Sequence, residues 1–275
     1  MVIHLIDGTY ELFRQFYGRR RGALEDVELG AVIGVLHSLL QMIEEGATHI
    51  GVATDHVIES FRNDLWPGYK TGAGVDPQLL AQFQPLEQAV AAMGVAIWPM
   101  IELEADDGLA SAARIADADE AVEQVRIWTP DKDLGQSVRG DRVVQVDRRA
   151  NAIRNAEGVR EKFGVDPVLI PDLLALVGDA ADGYPGIPGI GRVTAARLLN
   201  THGPIEQFPA EVLSDERREL ALLFKDLATL RDGAELFSEG DDLAWAGPTA
   251  DFSGWVEQLG DARLGERAAA ARALR

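Results

Sequence analysis

Short apolar runs rich in β-branched residues occur at 2–6, 49–53, 94–100, 125–129 and 143–146, separated by longer segments with helical periodicity. Leu29 to Ile43 and Leu79 to Met93 are two such segments, with apolar residues three and four apart. This alternation predicts an α/β fold: a mainly parallel sheet flanked by helices on both faces. A parallel sheet gathers residues distant in sequence along the edge formed by the C-terminal ends of its strands. Asp7 in LIDGTY, Asp55 in VATDH and Asp131 in TPDKDLGQ stand where three of the runs end.

Further acids accompany them. Glu104, Asp106 and Asp107 stand in ELEADDGLA, which reads as a helix start, and a helix N-terminus favours negative charge. Asp133 follows Asp131 closely, and Asp179 and Asp182 stand in GDAADGYPGIPGIG. Nine carboxylates gathered this closely would raise one another's pKa unless hard cations neutralised them. The pattern therefore predicts a site for two divalent ions, Mg²⁺ or Mn²⁺. Taken singly, Asp106 and Asp107 also suit a helix N-terminus, and Asp179 and Asp182 the turn before Pro185. The chain has no cysteine, which excludes disulfides and thiolate chemistry. Its five histidines include no HxxxH pair, so oxygen ligands remain.

The formal charge of −19 leaves −10 once the nine acids are set aside, which disfavours tight non-specific DNA binding. The distribution is uneven. Residues 232–262 hold eight acids and no basic side chain, whereas 139–162 hold seven Arg or Lys against four acids. Arg14, Arg19, Arg20 and Arg21 cluster near the first strand. The opening MVIHLIDGTY reads as a strand of the mature fold, which sets the expectation of a cytoplasmic protein. No apolar run reaches membrane-spanning length.

After about residue 163 the strand signals stop, and helical segments continue to about 230. Between two of them, Pro185, Gly186, Pro188, Gly189 and Gly191 predict a compact hairpin. Glycines there let a phosphate approach backbone N–H groups, and a helix opening near Arg192 adds its N-terminal dipole. The Ala/Arg-rich end, AAAARALR, is expected to fray. Trp66, Trp98 and Trp128 read as core residues.

The motifs LIDGTYELFR, VATDHVIESFR, PGYK, ELEADD, TPDKDLGQ and GDAADGYPGIPGIGRVTAARLL span residues 2 to about 200. In order and approximate spacing they resemble the 5′-nuclease superfamily, specifically the 5′→3′ exonuclease domain of bacterial DNA polymerase I and the free-standing flap endonucleases. The resemblance implies a PIN-like (Rossmann-like) twisted, mainly parallel sheet with a helix–three-turn–helix subdomain, and a metal-dependent nuclease domain over 1–163. It also implies a helical DNA-binding subdomain over 164–275, with the hairpin at 183–200 and an acidic C-terminal extension. Each of the nine acids falls on an acidic position of the family. Asp7, Asp55, Glu104, Asp106 and Asp131 would hold the tighter ion, and Asp133, Asp179 and Asp182 the second; Asp107 completes the set. Lys70 in PGYK and Arg62 in SFR match basic residues near the scissile phosphate, although Arg62 also suits a pairing with Asp64 or Glu59. Gly186, Gly189, Gly191, Arg192, Thr194 and Arg14 would contact DNA, and the 186–191 hairpin would hold a K⁺ ion.

The implied activity is structure-specific hydrolysis of DNA with 5′ ends, flaps or branches, in replication or repair. The enzyme would be a monomer, with a polymerase or clamp as a partner. Departures from the family bear on grip rather than chemistry. Val193 stands where a hairpin lysine is common, Ala73 where an arginine is common, and TGAGVDP carries no positive charge. They keep a second reading open, that of a weakly active or non-catalytic DNA-binding relative. A haloacid-dehalogenase-type phosphatase, which IDGT also resembles, fails because its nucleophile position is Leu5.

Overall fold

The computed structural model describes residues 1–21 and 28–273, without the side chains of Arg19, Arg20 and Arg21. The arginine run noted above therefore lies outside the described side chains. The strands are β1 (Val2–Asp7), β2 (His49–Asp55), β3 (Ala96–Met100), β4 (Gln124–Trp128), β5 (Val143–Asp147) and β6 (Ala152–Arg154). They form one sheet in the order β3–β2–β1–β4–β5–β6. All neighbours run parallel except β6, a short edge strand antiparallel to β5 that no apolar run announces. The chain moves from β1 outward through β2 and β3, then crosses to β4 on the other side. A crevice thus opens beyond the ends of β1 and β4, where such folds place their sites.

The helices are α1 (Gly8–Arg21), α2 (Gly30–Glu44), α3 (Arg62–Leu65), α4 (Pro77–Leu80), α5 (Phe83–Ala92), α6 (Ala105–Ala118), α7 (Ala156–Phe163), α8 (Ile170–Val177), α9 (Arg192–His202), α10 (Asp215–Ala228), α11 (Phe252–Leu259) and α12 (Ala262–Ala273). Helices α1, α2 and α5 bury Leu12, Val32, Val35, Leu36, Leu39, Leu86 and Val90 in one core. Helix α6 buries Leu109, Ala112 and Ala116 in another, with Ile3, Leu5 and Ile127 of the sheet. None of these helices is long and apolar enough to cross a membrane.

The segment Leu79 to Met93 is not one helix. Pro85 lacks the N–H that an uninterrupted helix would bond to Ala81, so α5 restarts with Pro85 in its first turn. The freed Gln82 is buried, and its Oε1 accepts hydrogen bonds from Ala31 N and Val32 N at 3.0 and 3.3 Å, completing the first turn of α2.

Helices α7 to α10 surround a separate core that includes Val159, Phe163, Leu173, Leu176, Leu199 and Phe224. The chain between α3 and Lys70 docks on it, with Trp66 edge-on to Phe224 at 5.2 Å. Residues after 230 leave this core, although the sequence grouped 164–275 together. Leu230 and Leu243 pack in the core of α6, and Trp245, Phe252, Leu259, Leu264 and Ala268 join the core of α2 and α5. Apolar faces on α11 and α12 need a partner, which α5 provides for α11 and α2 for α12. Arg267 clamps Glu44 at 2.7 Å and Asp261 reaches His37 at 2.8 Å. The Ala/Arg-rich end is accordingly helical to Ala273, with Ala268 and Ala271 buried, where fraying was expected.

Candidate metal centre and hairpin

Asp7 closes β1 with both oxygens engaged. Tyr10 N donates to Oδ1 at 2.8 Å and Thr129 Oγ1 to Oδ2 at 2.9 Å. Asp55 closes β2, and its Oδ1 accepts from Ala105 N, the first N–H of α6, at 2.8 Å. Thr9 Oγ1 accepts from Asp55 N at 2.8 Å, which ties the ends of β1 and β2 together. Glu104 precedes α6, Asp106 lies in its first turn, and Asp131 follows β4. Asp7, Asp55, Glu104, Asp106 and Asp131 line one cavity of about 210 Å³ together with Lys70. Burial, with the charges of Asp55 and Asp131, pushes Asp7 up to about 7 despite the hydrogen bonds it accepts. Burial and then Asp131 and Asp7 hold Asp106 well above the usual carboxylate range.

A second group adjoins the first. Carboxylate oxygens of Asp106, Asp131 and Asp133 lie within 4.8 Å of one another, and so do those of Asp133, Asp179 and Asp182. Asp133 therefore belongs to both. It is buried, its Oδ1 accepts no hydrogen bond from any described residue, and burial, then Asp131 and Asp182, hold its pKa well above normal. An unsatisfied buried oxygen among like charges suits a hard cation.

Two lysines partly offset this charge. Lys70 Nζ lies 2.7 Å from Glu104 Oε2 and 3.1 Å from Asp182 Oδ1. Burial opposes the ammonium, but Glu104 and Asp182 outweigh it and raise the Lys70 pKa well above its ordinary value. Burial would likewise raise Glu104, yet Lys70 and Arg62 hold it below normal. Lys132 pairs with Asp179 and stands 4.0 Å from Asp133 Oδ1. Sequence reasoning passed over Lys132, Thr9, Ser60 and Thr129. The position of Lys132 between the two acids of TPDKD was the available signal.

The structure separates Arg62 and Asp107 from the rest. Arg62 is 1% exposed, and Asp107 is fully buried. They form a two-pronged pair at 2.7 and 2.8 Å, with Arg62 Nη1 also 3.1 Å from Glu104 Oε1. Asp107 further accepts from Glu104 N at 2.9 Å and Arg231 N at 2.7 Å. With four hydrogen bonds to its two oxygens, Asp107 has no lone pair directed at a cation, contrary to its expected role as a ligand. Arg62 pairs with neither Asp64 nor Glu59, and its burial keeps it from a phosphate.

The hairpin follows α8. Gly186 has φ +70°, and a Cβ there would meet Gly178 N at 2.3 Å, so this glycine serves close backbone packing. Gly189 has φ +83°, and an added Cβ on Gly189 or Gly191 would meet nothing within 4 Å. These two face open space, and Gly191 precedes the first turn of α9. Arg192 is exposed over the Phe163 ring at 5.2 Å, bonding Lys162 O, while Thr194 is half-buried. Val193 is 85% exposed. Arg14 lies on α1, ion-paired to Glu11 at 2.5 Å. Lys70 N donates to Asp182 O at 2.9 Å and Trp66 Nε1 to Gly183 O at 3.0 Å, so the hairpin's start is fastened to the strap that runs from α3 to Lys70.

Residues 2–164 match the family described as 5′-3′ exonuclease, N-terminal resolvase-like domain, and residues 165–251 match 5′-3′ exonuclease, C-terminal SAM fold. The DNA polymerase I of Pseudomonas aeruginosa is 33% identical over 287 residues, which cover 93% of this chain and 31% of that protein. The 5′-3′ exonuclease of Buchnera aphidicola subsp. Baizongia pistaciae is 34% identical over 205 residues, covering 74% of this chain and 67% of that protein. The chain thus spans about a third of the length of the first of these relatives. Among solved structures, T5 5′-exonuclease with bound zinc superimposes with a TM-score of 0.66 at 16% identity, over 98% of both chains. The flap endonuclease of bacteriophage T5, complexed with DNA and metal ions, gives 0.64 at 18% identity, again over 98% of both. At such identities the likeness is one of fold.

Proposed function

The chain belongs to the 5′-3′ exonuclease family, and on that footing we propose that it hydrolyses DNA phosphodiester bonds as a 5′→3′ exonuclease and 5′-flap endonuclease. The observation that carries this reading is the pair of carboxylate groups sharing Asp133, with Asp106 and Asp131 of the first group lining a cavity with Lys70. Asp7, Asp55, Glu104, Asp106 and Asp131 would hold one Mg²⁺ or Mn²⁺ ion, and Asp133, Asp179 and Asp182 a second. Bound there, two such ions supply an activated water and neutralise charge on the scissile phosphate. Lys70, kept protonated by Glu104 and Asp182, offers its ammonium to a phosphate oxygen at the same cavity. Thr129 and Tyr10 fix the oxygens of Asp7, and α6 orients Glu104 and Asp106 from its N-terminal end.

In the same proposal residues 1–163 carry the chemistry, joined by Asp179 and Asp182 from the start of the hairpin, and the helical unit of α8 to α10 grips the duplex. Gly189, Gly191 and Arg192 would receive a DNA phosphate, and a K⁺ ion would share the hairpin. The exposed Val193 adds no charge to that surface, so binding is weak and salt-sensitive, and a polymerase partner would supply affinity.

The test is a 5′-labelled flap duplex incubated with the protein, with and without Mg²⁺ or Mn²⁺, beside Asp131→Ala. The wild type cleaves only with metal, and the variant is slower by about 10²- to 10³-fold, since the lost stabilisation amounts to several kcal/mol. No cleavage by the wild type at high enzyme and low salt would overturn the activity. Equal cleavage by the variant would overturn the site assignment.

A further inference from the structure

We propose that Arg62 and Asp107 are a positioning pair that holds Glu104 in register with the helical unit, and thereby sets the affinity of the first metal position. The inference rests on the metal-binding reading of Glu104 above. Arg62 has five N–H donors in a fixed fork, and each has an acceptor. Its Nε donates to Leu227 O at 2.7 Å, and Nη2 donates to Thr229 O at 3.3 Å and Asp107 Oδ1 at 2.8 Å. Its Nη1 donates to Asp107 Oδ2 and to Glu104 Oε1. One guanidinium therefore joins three things: the strap around α3, a carboxylate of the cavity, and the chain leaving α10.

That exit from α10 is held almost residue by residue. Gln136 Nε2 donates to Ala228 O and its Oε1 accepts from Leu230 N, both at 3.0 Å. Asp107 takes Arg231 N, and Ser111 Oγ donates to Arg231 O at 3.2 Å. Glu104 is fixed on the other side by Ser60 Oγ at 2.7 Å, and its backbone N–H bonds Asp107. The latch thus sits between the helical unit and a cavity carboxylate, and any slack in it reaches Glu104 directly. Groups bonded behind a metal ligand orient it and tune its affinity.

The experiment titrates the DNA-free full chain with Mn²⁺ by calorimetry, then measures cleavage of the flap duplex. Asp107→Asn keeps the shape of the latch and removes its charge; Gln136→Ala loosens the exit from α10 without touching a carboxylate, and because its Nε2 also donates to the Asp133 carbonyl at 3.0 Å, beside the second ion, its readout is the tighter ion. Asp107→Asn is expected to raise the Kd of the tighter Mn²⁺ by about 10- to 100-fold, and Gln136→Ala by about threefold or more. The KM for DNA should stay within about twofold, with kcat restored by excess Mn²⁺. Should Asp107→Asn fail to fold, Gln136→Ala decides alone. Mn²⁺ binding unchanged in the folded variants sinks the proposal. Arg62→Lys with normal Mn²⁺ affinity but a raised KM would also overturn it, and would return Arg62 to a phosphate contact. A wild type that binds no Mn²⁺ at all removes the metal reading itself, and the latch with it.

Discussion

In chelator at pH 8, Asp7 must keep its charge while buried beside Asp55 and Asp131, and Asp7→Asn removes that charge without changing shape. Burial and those neighbours raise its pKa from 3.8 to about 7. A rise of that size corresponds to about 4 kcal/mol at pH values above both figures. The sign follows from proton binding: the folded state holds this proton more tightly than the unfolded one, so stability falls as pH rises from 4 to 7. The penalty is absent below pH 4 and complete above pH 7. Against it, asparagine keeps one acceptor for Tyr10 N and Thr129 Oγ1 and loses the other, at about 1–2 kcal/mol. The net gain is then about 2–3 kcal/mol at pH 8, or about 5 °C in Tm for a chain of this size. Thermal melts in EDTA at pH 8 and pH 4.5 measure it. The variant should melt above the wild type at pH 8 and at or below it at pH 4.5. Mn²⁺ should stabilise the wild type more than the variant, since binding to the native state alone raises its stability. A variant that melts below the wild type in EDTA at pH 8 would refute the reasoning.

Three further outcomes are expected. Val193→Lys should tighten duplex binding at low salt and steepen the slope of log K against log salt by about one, read by fluorescence anisotropy over a salt series. An unchanged slope would show that the hairpin surface lies off the DNA path. Gly186→Ala should destabilise the fold by about 3 kcal/mol or more, because its Cβ would meet backbone rather than a movable side chain. Gly189→Ala, equally left-handed but in open space, should cost only about 1–2 kcal/mol by urea denaturation; equal losses at the two glycines would contradict the packing argument.

The alternation of apolar runs and helical periodicity determined the parallel sheet, because β-branched runs of that length are stable only when buried between helices. It also placed Asp7 and Asp55 at strand ends, and the Gly/Pro spacing placed the hairpin before α9. Eight of the nine acids lie around one cavity and the group beside it, with Asp133 shared between both groups and Asp107 apart. Residue type and spacing carry that much, since they fix local conformation and the face a side chain joins.

Pairing across distance was decided only by tertiary structure. Asp106 and Asp107 are adjacent and chemically identical, yet α6 points one toward the cavity and the other into Arg62, because neighbouring positions on a helix face about 100° apart. Arg62 had acids nearer in sequence, but packing of α3 against α6 and the exit from α10 buried it where Asp107 and Glu104, with two backbone carbonyls, answer its donors. The last helices left the helical unit for α2 and α5 for a similar reason. Their apolar faces state that a partner is needed, and only the assembled surface supplies which one.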